Sequence, residues 1–116
     1  MGYRELAVYE KSYKAVLDIY RMSEGFPKEE RYAMRDQIRR AAMSIPLNIA
    51  EGYGKQEGGA EFKRYLRMSM GSANEVSVLL EMGKDLKYIP EGIYEELKER
   101  YEEIGRMLNG LIKAVQ

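Results

Sequence analysis

The sequence predicts an all-α fold, an antiparallel up-down-up-down four-helix bundle, and three observations predict it. Apolar residues recur at steps of three and four along four segments, the mark of one buried face on each. Proline and glycine cluster only between those segments, where short links turn the chain back. Strand-like alternation appears nowhere over a useful length. The 116 residues suit a single domain, 1–116, built round one core.

The first helix is expected over about residues 4–24, with Leu6, Tyr9, Tyr13, Val16, Leu17 and Tyr20 facing inward. The run "EGFPKEE" interrupts it: Gly25 suits a helix end, and Pro27 suits a new start with Glu29 and Glu30 in its first turn. The second helix, over 28–53, is striped by Met34, Ile38, Ala41, Ala42, Ile45 and Ile49 and should end on Gly52 and Gly54. The third, over 60–88, follows "GYGKQEGG" and turns Phe62, Leu66, Ser69, Ala73, Val76 and Leu80 inward, until "KYIPEG" closes it. The fourth, over 91–115, carries Tyr94, Leu97, Tyr101, Ile104, Leu108, Leu111 and Val115. Their unbroken alternation of three and four is a coiled-coil seam.

Pro46 stands inside the second stripe. It cannot donate to the carbonyl of Ala42, and its ring crowds that carbonyl, at about 3 kcal/mol in an ordinary helix interior. The stripe nevertheless keeps its phase from Ile38 to Ile49, so the sequence predicts a bend at Pro46 rather than an end. Ser44 is placed to satisfy part of the freed backbone. Ala41, Ala42 and Ser44 before the bend, and Ser69, Gly71, Ser72 and Ala73 along the third helix, predict that helices two and three approach most closely here. Asn48 and Asn74 are expected to hydrogen-bond nearby.

The residue types argue against catalysis. Without cysteine there is no disulfide, thiol nucleophile or thiolate metal site. Without histidine the commonest general base and metal ligand are missing, and so is the Glu-x-x-His pattern of four-helix di-metal sites. No catalytic residue, cofactor or metal is expected. "GYGKQEGG" fails as a phosphate loop, because Gln56 stands where Ser or Thr must follow Gly-Lys, and Glu57 replaces the last glycine of the dinucleotide pattern. Glu51, at the end of the apolar stripe, reads as a partner for an arginine or a backbone group. Glu91, Glu95, Glu96, Glu99, Glu102 and Glu103 read as a solvated face. Tyr9, Tyr13, Tyr20, Tyr94 and Tyr101 hold core-phase positions, with buried rings and hydroxyls at the rim. No apolar run approaches the roughly 20 residues that span a membrane, and "MGYRELAVYEK" has no signal-peptide pattern. A soluble, cytoplasmic protein is expected.

Charge is balanced overall but not locally. Nineteen basic residues meet nineteen acidic ones, yet residues 28–67 hold nine Lys and Arg against six Asp and Glu, and residues 91–103 reverse the sign. Arg40 points away from the second stripe, and Lys63, Arg64 and Arg67 lie roughly opposite the third. This asymmetry permits a phosphate-contacting surface, pairing between subunits, or plain solvation. Met68, Met70, Leu79 and Met82 add apolar area beyond one stripe, as an oligomerising helix needs.

The runs "FPKEERYAMRDQIRRAAMSIPLNIAEGYGK" and "EFKRYLRMSMGSANEVSVLLEMGKDLKYI" closely resemble the four-helix bundle family named after the 23S rRNA intervening sequence. The signature runs from Gln37 to Ala42, then Ser44-Ile45-Pro46, then Asn48 to Gly52, so that Pro46, Asn48, Glu51 and Gly52 stand as structural markers. The resemblance implies a ring-like homopentamer and no enzymatic activity. A related branch serves as accessory subunit to the reverse transcriptase of diversity-generating retroelements and binds RNA or DNA through a basic surface. For this chain that would assign Arg39 and Arg40, with Arg64 and Arg67 beside them, as nucleic-acid-binding residues. The chain's zero formal charge departs from that branch.

Overall fold

The computed structural model describes residues 2–55 and 59–115, which leaves the readings of Gln56 and Glu57 outside the described residues. A short turn of 3-10 helix at Tyr3–Glu5 leads into α1 (Ala7–Ser23), and another at Lys28–Glu30 precedes α2 (Met34–Tyr53). α3 (Ala60–Asp85) and α4 (Glu91–Ala114) complete the fold. Among the described residues there is no strand, and the all-α, four-helix fold predicted from periodicity is what forms.

Three helix boundaries differ from expectation, each for a local reason: α1 begins at Ala7 rather than residue 4 because Leu6 is extended, at φ −74° and ψ 126°. Pro27 heads only the short 3-10 turn, and Ala33, at φ −125° and ψ −98°, holds the chain out of helical geometry until Met34. α3 stops at Asp85 because Lys87 adopts φ 65°. The Tyr88 N–H then reaches back to the Gly83 carbonyl at 2.8 Å, and the Lys87 N–H to that of Lys84 at 2.9 Å. These are the two bonds of a Schellman ending, here with lysine rather than glycine in the left-handed position.

Packing follows the small residues. α2 makes its most extensive contact with α3, and α4 packs on both α3 and α1. Gln37 bonds Glu75, Ser44 meets Ser72, Ser69 bonds the Ile45 carbonyl, and Tyr65 bonds Glu51. Partner numbers rise along α2 as they fall along α3, so these two helices run in opposite directions. Ile19, Ile38, Ile45, Ile49, Leu66, Val76, Leu80 and Leu108 are wholly withdrawn from water. Burial of each such side chain contributes roughly 1.5–3 kcal/mol. The stripes of α2 and α3, apart from the half-buried Met34, and the first five positions of the α4 seam are buried, and Leu111 and Val115 pack half-buried against them.

α1 corrects the expectation. Its buried row is Val8, Ser12, Ala15, Ile19 and Ser23, whereas Tyr13 and Leu17 are exposed and Leu6, Tyr9, Val16 and Tyr20 are only partly covered. Ser12, Ala15 and Ser23 are small enough to let α1 settle closely on the core. The two serines satisfy their hydroxyls on the carbonyls of Tyr9 and Tyr20, at 3.1 and 3.3 Å, so their burial leaves no unpaired donor. Tyr101 is a second correction: its hydroxyl lies buried and without a partner among the described residues, not at the rim.

Candidate functional site

α2 continues unbroken through Pro46, and a set of hydroxyl and amide bonds surrounds that position. Ser44 donates to the Ala41 carbonyl at 2.8 Å, not to the Ala42 carbonyl that the proline frees. The Ser44 and Ser72 hydroxyls lie 2.5 Å apart. Because the single Ser44 proton is already engaged, Ser72 is the donor between them. Ser69 donates across the helices to the Ile45 carbonyl at 2.9 Å, and Asn48 Nδ2 to the Ser44 carbonyl at 2.8 Å. Asn74, by contrast, is exposed and its side chain has no hydrogen bond among the described residues.

The same seam explains Glu51 and Gly52. A Cβ placed on Gly52 would lie 2.4 Å from the Cβ of Tyr65, so this glycine does not end the helix but lets α3 approach it. Tyr65 then donates its hydroxyl to Glu51 at 3.1 Å. The partner of Glu51 is thus a phenol rather than an arginine or the backbone. Pro46, Asn48, Glu51 and Gly52 lie together along α2, with the last three on its α3 side.

The four arginines carried over from the resemblance are not equivalent. Arg39 is drawn in: its side chain is 14% exposed, with Nε donating to Ser23 Oγ at 2.8 Å and Nη2 to the Tyr20 carbonyl at 3.0 Å. Arg64 is exposed but pairs with Glu61 at 2.9 Å and lies over the Tyr65 ring. Its hydrogen bond holds the Glu61 carboxyl below the usual carboxylate range. Arg40 and Arg67 are exposed, with no partner among the described residues.

Between α1 and α2 the chain leaves an apolar groove of about 320 Å³. Tyr9, Tyr13, Val16 and Leu17 form its α1 wall, Met43, Pro46, Leu47 and Ala50 its α2 wall, and Tyr3 closes one end. Tyr3 and Tyr9 meet edge to face at 5.0 Å, and Tyr9 and Tyr13 follow at 6.0 Å. Leu47 stands 65% exposed, Tyr13 52% and Leu17 47%. Among the lining residues only the tyrosine hydroxyls can ionise, so the groove offers contact area rather than acid–base or nucleophilic chemistry. Sequence reading missed it by assigning the tyrosine row of α1 to the core. The signal available was Leu47, a large apolar residue opposite the α2 stripe. Of the extra apolar residues on α3, Met68 and Met82 are exposed, whereas Leu79 and Met70 belong to the core and its margin.

Among the described residues no acidic group of three or more is arranged to hold a metal ion, and no helix is long and apolar enough to cross a membrane.

The profile of the 23S rRNA-intervening sequence proteins matches residues 4–110. A crystal structure of a protein of unknown function from the S23 ribosomal protein family, from Bacteroides thetaiotaomicron VPI-5482, superposes with a TM-score of 0.83 at 29% identity. The match covers 92% of this chain and 99% of that one. No curated protein matches the chain.

Proposed function

The chain belongs to the 23S rRNA-intervening sequence protein family, and from that premise we propose a non-enzymatic, self-assembling bundle, cytoplasmic, whose ring of copies is the working unit. One observation carries this reading: Tyr13, Leu17 and Leu47 remain exposed beside an apolar groove although the core is already filled. Apolar surface left in water forgoes about 25 cal/mol per Å², and contiguous patches of it mark contact surfaces. The homopentamer implied by the family resemblance supplies the form of the assembly. Sedimentation equilibrium or light scattering tests it. The expected mass is five times the 13.5 kDa of one chain, and a single-chain mass at every concentration overturns the reading.

A second reading, nucleic-acid binding as accessory factor to a reverse transcriptase, is favoured by Arg40 and Arg67, exposed and unpartnered among the described residues. Repetition round a ring turns weak phosphate contacts into useful affinity. Binding to an RNA or DNA oligonucleotide should fall steeply with salt and disappear on charge reversal of both arginines. Absence of binding at low salt discards it.

A further inference from the structure

We infer that the α1/α2 groove of one copy receives the α3 ridge Val78–Met82–Leu86 of a second copy, head to tail. The inference rests on the self-assembly reading and names its two surfaces. Val78, Met82 and Leu86 are exposed by 55, 50 and 52% and step by four, so they form one ridge on the outside of α3. Eight residues of helix separate the first from the last, about 12 Å. The α1 wall of the groove, from Tyr9 to Leu17, has the same eight-residue length. A raised apolar ridge and an apolar groove of equal length therefore stand on different faces of one molecule.

Charge favours this pairing over groove against groove. Arg40 lies one turn before Met43 and on the outer side of α2 with Leu47, at the rim of the groove. Glu81 lies beside Met82. Both are exposed, and neither has a partner among the described residues. Asp85, next to Leu86, adds a second negative group to the ridge, and its only ion pair among the described residues is with its neighbour Lys84. Seating the ridge in the groove brings opposite charges together, whereas a two-fold contact between grooves brings two Arg40 rims together. Because the two surfaces differ, each copy keeps a free groove at one end and a free ridge at the other, and the contact propagates until it closes.

The test uses one substitution on each surface, Leu47→Asp in the groove and Met82→Asp on the ridge. Both side chains are exposed, so each variant should keep the circular dichroism of the native chain, and its melting temperature should fall only by what the loss of assembly removes. Each alone is expected to sediment as a monomer. Mixed in equal amounts they should form a dimer and nothing larger, since one intact groove and one intact ridge remain. A native chain that assembles while either variant still assembles, or a mixture that stays monomeric where the native chain assembles, overturns this pairing and leaves self-assembly standing. A monomeric native chain overturns both. Arg40→Glu and Glu81→Arg should each weaken assembly at least tenfold, and the two together should restore it; failure of that rescue counts against the contact.

Discussion

The guanidinium of Arg39 lies 4.4 Å over the ring of Tyr20 and donates to the Tyr20 carbonyl at 3.0 Å. Its Nε bonds Ser23, and Glu24 approaches Nη2 at 3.4 Å, so one side chain of α2 latches the last turn of α1. A cation held this way is engaged in the fold. Hydrogen bonds to a charged group contribute about 1.5–3 kcal/mol, and a cation–π contact about 1 more. Arg39→Ala should therefore lower stability in urea by about 2–3 kcal/mol, whereas Arg40→Ala should change it by less than about 0.5 kcal/mol. Equal urea midpoints for the two variants would remove the latch.

How much of this was legible beforehand depends on whether a residue's role is set by its own helix or by its neighbour. The α4 seam was readable because its apolar residues form one row and nothing competes with it. α1 has two rows, and size misled: small Ser12, Ala15 and Ser23 went inward, leaving larger Tyr13 and Leu17 in water. Arg39 and Arg40 are adjacent and alike in sequence, but the 100° between them puts one against Tyr20 and the other in solvent. The place of Gly52 could not be read at all, since it is defined by Tyr65 on another helix.

Gly52 gives a sign test of that close approach. In an open helical position, alanine is favoured over glycine by about 1 kcal/mol. At Gly52 the new Cβ would meet the Tyr65 Cβ at 2.4 Å, a carbon fixed to the backbone, and α2 and α3 would have to separate. Overpacking of this kind costs about 1–3 kcal/mol. Gly52→Ala should be destabilising, while Gly105→Ala, with nothing within 4 Å of its Cβ, should be stabilising by about 0.5–1 kcal/mol. Thermal melts of the pair decide it; a stabilised Gly52→Ala would show that the seam yields freely.

Tyr101 predicts a loss of stability in alkali. Burial, with a smaller contribution from the charge of Asp18, holds its phenol protonated well above the ordinary tyrosine range. Tyr88 is raised too, chiefly by its hydrogen bond to Glu30. In the unfolded chain both ionise near pH 10, so above that pH the unfolded state binds fewer protons than the folded one. Stability should then fall as pH rises beyond about 10, having been level below it with respect to these groups. Tyr101→Phe removes an unpartnered buried hydroxyl and should add about 1 kcal/mol at pH 7. The same variant should also lose less stability between pH 9 and 11. A Phe variant with an unaltered alkaline slope would place the titrating group elsewhere.

Pro46 links the single chain to the proposed assembly. It is buried, lies on the wall of the α1/α2 groove, and removes the N–H that the Ala42 carbonyl would accept. The bonds from Ser44, Ser69 and Asn48 go to the carbonyls of Ala41, Ile45 and Ser44, so none of them replaces the missing one. Pro46→Ala restores that bond and should stabilise the isolated chain, offset by the few methylenes lost from the groove wall. A bend at Pro46, as the sequence predicts, would taper the bundle, and a tapered unit would close a ring more readily than a straight one. The alanine protein should accordingly melt at the same temperature or higher, yet assemble to a different mass. If its mass by light scattering equals that of the native assembly, the proline does not shape the ring, and closure must be set by the groove and ridge alone.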